Sequence, residues 1–240
     1  MKEMKLYVHI PFCVRKCNYC DFLSFVADKE IQERYLKALE AEIVGGSKAF
    51  MDYEVSTVFI GGGTPSLLEA DGIEGILKRL KQNYFIREEA EISVEVNPGK
   101  VSEEKRIHTF EEFMESWEFA REAGFKNINV DLISGLPGQD VNSCERSLRE
   151  IASLSPEHIS VYSLILEEGT PFYENQEKLN FPDEDSEGMM YESAHDILAV
   201  YGYWQYEISN YSKTGYECRH NLGYWTGAEY WGIGLGSSSL

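Results

Sequence analysis

No apolar run in this chain is long enough to cross a bilayer. Positive charge is scarce. In 240 residues there are 22 Lys and Arg against 41 Asp and Glu, a formal net charge of −19. Nucleic acid backbones are held by clustered Lys and Arg, so a nucleic acid partner is excluded on charge. The balance suits small molecules or cationic surfaces instead. No secretory leader is expected from these residues either, because the apolar run from Leu6 is cut by His9, Pro11 and Cys13. A cytoplasmic location with at most peripheral membrane contact is therefore expected. Internal repeats and low-complexity stretches are absent. Cysteines number five, an odd count that fits no simple disulfide framework. Apolar residues at 43% and aromatics at 13% provide ample core material, which excludes global disorder. The length suits one large α/β domain, or one domain with part of a second.

Short β-like runs alternate with helical ones. Strands are predicted at Lys5–Ile10, Val55–Ile60, Glu91–Val96, Asn127–Ser134 and His158–Leu164. Between them, Asp28 caps a helix striped by Ile31, Tyr35, Leu39 and Ile43, and Asp71 with Glu74 has the pattern of a capping box. Asp140 caps a helix with Val141, Cys144, Leu148 and Ile151 on one face, stopped by Ser155-Pro156. Repeated βα alternation implies parallel strands with helices outside, wound right-handed into a full or partial barrel. Function is then expected at the C-terminal strand ends. Beyond Thr170-Pro171 the alternation fades into a helix near Asp185–Tyr201, a strand at Gln205–Ile208 and a tail rich in Gly, Tyr, Trp and Ser. One region is irregular. Ser102 reads as a helix cap, yet Thr109 and Glu112 form a second capping box seven residues on, ahead of a stripe of Phe113, Met114, Trp117 and Ala120. A missing stretch near Lys105/Arg106 and a single 3₁₀ turn both account for this.

Three cysteines fall within eight residues. Cys13, Cys17 and Cys20 give C-x3-C-x2-C just past the first strand. Three soft thiolates on one loop suit zinc or an iron–sulfur cluster. A structural zinc site calls for a fourth ligand, and no second Cys or His pair lies nearby. Cys144 reads as a packed thiol, and Cys218 is remote, next to Arg219 and His220. This spacing, with Tyr19 before the last Cys, resembles the signature of the radical S-adenosylmethionine (SAM) superfamily. There a 4Fe–4S cluster keeps one iron free of protein, and that iron chelates the amino and carboxylate groups of SAM.

Further segments sharpen the resemblance. Tyr7-Val8-His9-Ile10-Pro11-Phe12-Cys13, Gly61-Gly62-Gly63-Thr64-Pro65, Arg106-Ile107-His108-Thr109 and Asp131-Leu132-Ile133-Ser134-Gly135-Leu136-Pro137 are similar to the oxygen-independent coproporphyrinogen III oxidase family. So are Ile159-Ser160-Val161-Tyr162-Ser163 and Gln205-Tyr206-Glu207-Ile208-Ser209-Asn210-Tyr211. The resemblance implies SAM contacts at Tyr7, Tyr19, Gly62, Gly63, Thr64, Glu95, Arg106, Asp131 and Ile165. Residue chemistry alone allows other roles. A glycine run also makes tight turns, Glu95 suits a solvated strand end, and Asp131 in an apolar run needs a partner from ligand or protein.

Two features separate the branches of that family. The oxidases carry a fourth Cys two residues after the third, and Phe22 stands there in this chain. The chain also begins almost at the first strand, without the oxidases' N-terminal extension. Both resemble the HemW-like branch, regarded as heme chaperones, as does His220-Asn221-Leu222-Gly223-Tyr224-Trp225, an H-N-x-x-Y-W motif implicated in heme binding. The resemblance implies heme at His220, Asn221, Tyr224 and Trp225, heme delivery to respiratory haemoproteins and an electron donor. A homodimer stays open, and so does SAM cleavage. SAM-dependent decarboxylation of coproporphyrinogen III is the rival activity. A plain zinc module is a further alternative. The implied fold is a radical SAM partial (β/α)6 barrel lacking one βα unit near Lys105/Arg106, with a core over 1–170 and a C-terminal extension over 171–240.

Overall fold

The computed structural model describes residues 1–97 and 109–240. In chain order the elements begin with β1 (Lys2–Ile10), α1 (Lys29–Gly46), β2 (Tyr53–Gly62), α2 (Ala70–Asn83) and β3 (Ile86–Val94). Next come α3 (Phe110–Glu122), β4 (Asn129–Ser134), α4 (Val141–Ser153), β5 (His158–Ser163) and the short α5 (Pro171–Glu174). The remainder is α6 (Glu184–Val200), β6 (Trp204–Gln205), β7 (Asn210–Ser212), α7 (Arg219–Thr226) and β8 (Tyr230–Ile233). The chain folds into two compact units. One holds Met1–Cys17, Phe22–Ser116 and Cys218–Leu240, and the other Asn18–Asp21 and Trp117–Glu217.

The first unit is built on a four-stranded parallel sheet in the order β3-β2-β1-β8. Leu6, Val8 and Ile10 of β1 alternate onto one face and meet Val58 and Ile60 of β2. That face is covered by Leu39 and Ile43 of α1 and Ile76 and Leu80 of α2, all buried. The register of β2 slips by one residue, Met4 pairing with Val55 but Lys5 with Thr57. This bulge keeps Val55 and Val58 in the same core and turns Thr57 and Phe59 to the opposite face, beside Lys5, Tyr7 and His9.

The second unit carries the sheet β4-β5-β7-β6, in which β4 and β5 are parallel and β7 runs antiparallel to both β5 and β6. Helix α4 packs against α6, and Leu148, Ile151, Met190, Ala194 and Leu198 are buried. Asp140 caps α4 in a capping box with Ser143.

Several expectations are refined. The five strands of the alternating region are present, and the described strands form two four-stranded sheets, one in each unit. Strand β3 begins at Ile86, not Glu91, because its charged start is an exposed sheet edge where Arg87 ion-pairs with Glu3 and Glu54. Helix α2 starts at Ala70 on Glu69 instead of through the Asp71/Glu74 box; Gly72 N–H already donates to the Glu69 carbonyl, at 2.8 Å. The strand expected at Gln205–Ile208 is a hairpin instead. Gln205 Nε2 donates to the Ile208 carbonyl and Ser209 N–H to the Glu207 carboxylate, which satisfies the turn internally. Thr109 and Glu112 do form the expected capping box, at 2.8 and 3.2 Å. The stripe behind it, however, leaves no side chain of α3 buried, and Trp117 instead lies under the Arg121 guanidinium at 4.4 Å. Arg106 and the irregular stretch around Lys105 lie outside the described residues.

Candidate functional site

The cysteine loop leaves β1 at Ile10. Its two ends are tied by a bridge between Phe12 and Phe25, with Cys13 N–H donating to the Phe25 carbonyl and Phe25 N–H to the Pro11 carbonyl. Phe12 is fully buried and packs edge-on against Phe25 and Tyr35. Cys13, Cys17 and Cys20 are partly exposed thiols outside any disulfide. Among the described residues no three metal-ligating side chains are gathered at binding distance. Tyr19 stacks obliquely on Phe172, whose N–H donates to the Asn18 carbonyl.

The glycine run after β2 is stitched to this loop. Gly63 N–H donates to the Ile10 carbonyl and Thr64 N–H to the Phe12 carbonyl, at 2.8 and 2.7 Å, while Thr64 Oγ1 donates to Cys13 Sγ at 3.6 Å. A Cβ on Gly63 would sit 2.6 Å from the Phe12 carbonyl oxygen. Gly62 has φ of +113°, and a Cβ there would meet the His9 ring at 2.5 Å. Protein packing alone therefore demands both glycines. Gly62 N–H donates to Glu95 Oε2 at 3.0 Å, so the carboxylate expected at SAM is already seated on the glycine amide.

Tyr7 points at the same strand ends. His9 Nε2 lies 2.8 Å from the Leu23 carbonyl, an obligate acceptor, so Nε2 carries the proton and Nδ1 accepts from the Tyr7 hydroxyl at 3.0 Å. Burial pushes the Tyr7 phenol well above its usual range, and the Glu95 charge adds to that. His9 reads from sequence as packing at a strand end; in the fold it also joins Tyr7 to the cysteine loop.

In the second unit, Asp131 sits in a polar chain. Asn129 Nδ2 donates to Asp131 Oδ1 at 2.6 Å, and Asn129 Oδ1 accepts from Ser160 Oγ and from His158 Nδ1. His158 Nε2 then accepts from the Tyr206 hydroxyl at 2.7 Å. Desolvation lowers the His158 pKa to about 4, which keeps the ring neutral at pH 7. The Asp131 side chain reaches the surface, yet its carboxyl is pushed up, because desolvation outweighs the hydrogen bonding of its polar neighbours. The partners that Asp131 needs are thus supplied by protein side chains. Asn129, His158 and Tyr206 were not singled out from sequence as site residues; of the three, only Tyr206 falls within a segment that carried the family resemblance. Ile165 is 69% exposed on the loop after β5.

Helix α7 carries the H-N-x-x-Y-W segment into the first unit. Its N-cap residue, Cys218, makes no side-chain cap. Glu91 of β3 takes over, accepting from Arg219 N–H at 3.1 Å and His220 N–H at 3.0 Å, with Cys218 Sγ at 3.5 Å. Burial, then the Glu91 charge, pushes the Cys218 thiol up to about 11 and keeps it protonated. Lys5 Nζ, itself buried, donates to the Arg219 carbonyl at 2.8 Å. His220 is 1% exposed and stacks on Phe59. Its Nδ1 lies 2.7 Å from Thr57 Oγ1 and its Nε2 3.0 Å from the Tyr224 hydroxyl. Desolvation lowers its pKa to about 4. Tyr224 and Trp225 are 44% and 57% exposed. Asn221 is partly buried on the same helix.

The α/β architecture and the cysteine loop define a protein with a radical SAM domain, and the Radical SAM superfamily profile matches residues 7–106. The chain is 36% identical to the heme chaperone HemW of Haemophilus influenzae over 270 aligned positions, covering 99% of this chain and 70% of the relative. It is also 36% identical to the heme chaperone HemW of Bacillus subtilis over 264 positions, covering 96% and 69%. The solved structure of coproporphyrinogen III oxidase (HemN) from Escherichia coli, described as a radical SAM enzyme, is 25% identical with a TM-score of 0.83. That match covers 99% of this chain and spans 64% of that one. The chain belongs to the HemW family.

Proposed function

We propose that this protein is a heme chaperone that binds a 4Fe–4S cluster, SAM and heme, and passes heme to respiratory haemoproteins. The observation that carries this reading is 36% identity, across almost the whole chain, to proteins named heme chaperones. Phe22 supports it: the position where the oxidases carry a fourth cysteine holds a ring that is 71% exposed.

The donor set fits the cluster. Cys13, Cys17 and Cys20 are partly exposed, are not disulfide-bonded and share one loop, and Thr64 directs a hydroxyl at the first sulfur. When bound, such a cluster supplies an open iron position for the amino and carboxylate groups of SAM. Tyr7, Gly62, Gly63, Thr64 and Glu95 would line that side, with Asp131, Tyr19, Ile165 and Arg106 contributing as the resemblance implies. The heme motif fits with one adjustment. His220 is a neutral imidazole beside the exposed rings of Tyr224 and Trp225, but each of its nitrogens already has a partner.

The fold is read as a radical SAM partial barrel lacking a βα unit between β3 and β4, with a core over 1–170 and an extension over 171–240. Support comes from β3 lying at a sheet edge, from α3 burying no side chain, and from alignments longer than the 240 residues of the chain. A cytoplasmic location and an electron donor belong to the same reading. No helix among the described residues is long and apolar enough to cross a membrane.

Anaerobic reconstitution followed by hemin titration and a coproporphyrinogen III assay on one sample tests the proposal. Stoichiometric iron, labile sulfide and hemin binding without protoporphyrinogen formation are expected. Robust protoporphyrinogen formation would replace the chaperone with the oxidase. Zinc without labile sulfide would replace both with a structural zinc module.

A further inference from the structure

We propose that Tyr224 is a displaceable cap on the iron-binding nitrogen of His220, and that Thr57 orients that imidazole for ligation. The inference rests on the heme-binding reading above; it adds Thr57 to that site and gives Tyr224 a distinct role.

The imidazole has two hydroxyl neighbours, Thr57 Oγ1 at Nδ1 and Tyr224 Oη at Nε2, at 2.7 and 3.0 Å. A neutral imidazole has one N–H and one lone pair. A phenol is a far better proton donor than an aliphatic hydroxyl, so Tyr224 O–H donates to Nε2. Nδ1–H then donates to Thr57 Oγ1. That is the arrangement in which metal-bound histidines are found: one nitrogen donates to a fixed acceptor, and the lone pair of the other is aimed outward.

The two sides of the ring differ in burial. Thr57 is fully buried on β2, aimed there by the bulge at Ser56. The imidazole is clamped by stacking on Phe59, by Glu91 on its backbone N–H and by Lys5 on the preceding carbonyl. Tyr224 lies one turn further along α7, packs edge-on against Tyr230 and is 44% exposed. Rotating the phenol outward breaks one hydrogen bond and uncovers Nε2 without moving α7, which keeps the lone pair from water until a porphyrin arrives. It also leaves two aromatic rings, Tyr224 and Trp225, at the rim where a porphyrin face would lie.

Hemin titrations of the full chain, with ferric EPR of each complex, test this on wild type, His220→Ala, Tyr224→Phe, Thr57→Val and Thr57→Ser. Tyr224→Phe removes the capping hydrogen bond and is expected to tighten hemin binding about five-fold. Thr57→Val leaves Nδ1–H without an acceptor and is expected to weaken binding about ten-fold with shifted EPR g-values, while Thr57→Ser restores both. His220→Ala is expected to lose the imidazole signature. If His220→Ala keeps the wild-type spectrum, heme ligation at α7 falls and this inference falls with it. If His220→Ala loses the signature but Tyr224→Phe binds no tighter, or Thr57→Val keeps the wild-type g-values, heme binding stands and the cap or the orienting role is overturned.

Discussion

Acid should weaken the second unit through one histidine. His158 is 4% exposed, hydrogen-bonded at both nitrogens and held neutral, with its pKa lowered from 6.5 to about 4 by desolvation. Above pH 6.5 the ring is neutral in both the folded and the unfolded chain and contributes no pH dependence. As pH falls through 6.5 the unfolded chain takes up a proton that the folded chain refuses, so stability drops until pH approaches 4. Integrated between pH 7.5 and 5, the loss is about 2 kcal/mol. Asp131 works in the opposite direction: its carboxyl is pushed up, so the folded chain takes a proton first and gains stability as pH falls. The histidine contribution is therefore read as a difference between wild type and His158→Gln, whose amide can still donate to Asn129 and accept from Tyr206 but does not titrate. Urea unfolding followed at pH 7.5 and pH 5 should show wild type losing about 2 kcal/mol more than the variant. Parallel pH dependence in the two proteins would refute the neutral, buried assignment.

Two further outcomes follow from the first unit. Gly63→Ala drives a Cβ to 2.6 Å from the Phe12 carbonyl oxygen and so displaces the start of the cysteine loop. Reconstituted protein is expected to lose most of its labile sulfide with far-UV circular dichroism unchanged, and full sulfide loading would contradict that close approach. Glu91→Ala leaves two N–H groups at the start of α7 without their carboxylate, which should cost about 1–2 kcal/mol. Hydrogen exchange at Asn221, Leu222 and Gly223 should then accelerate at least several-fold, and unchanged protection would show that α7 is held some other way.

Much of the local structure was legible. Asp28, Thr109 and Asp140 cap the helices expected of them, because a side-chain cap spans only three residues. The extent of β3 was not, because Arg87 finds Glu54 and Glu3 on strands far away in the chain. The hairpin of β6 and β7 was missed for the opposite reason: Glu207 and Gln205 satisfy their own turn, and an alternating pattern does not reveal that. At the candidate site, the cysteine spacing and the glycine run were visible as motifs. That Gly62 presents its amide to Glu95, and that Gly63 must lie against Phe12, was not.

Composition and spacing alone determined that the chain is an α/β protein short of positive charge, that three thiols share one loop, and that His220 travels with Tyr224 and Trp225. These depend on neighbours in sequence or on sums over it, which need no folded state. The tertiary structure decided what each polar group faces. It set Thr57 beside His220 across 163 residues, through a one-residue bulge in β2. It also linked Asp131 to Tyr206 through Asn129 and His158. Such partnerships arise because a buried donor or acceptor must be satisfied by whatever packing brings within 3 Å or so, and packing answers to the whole chain at once.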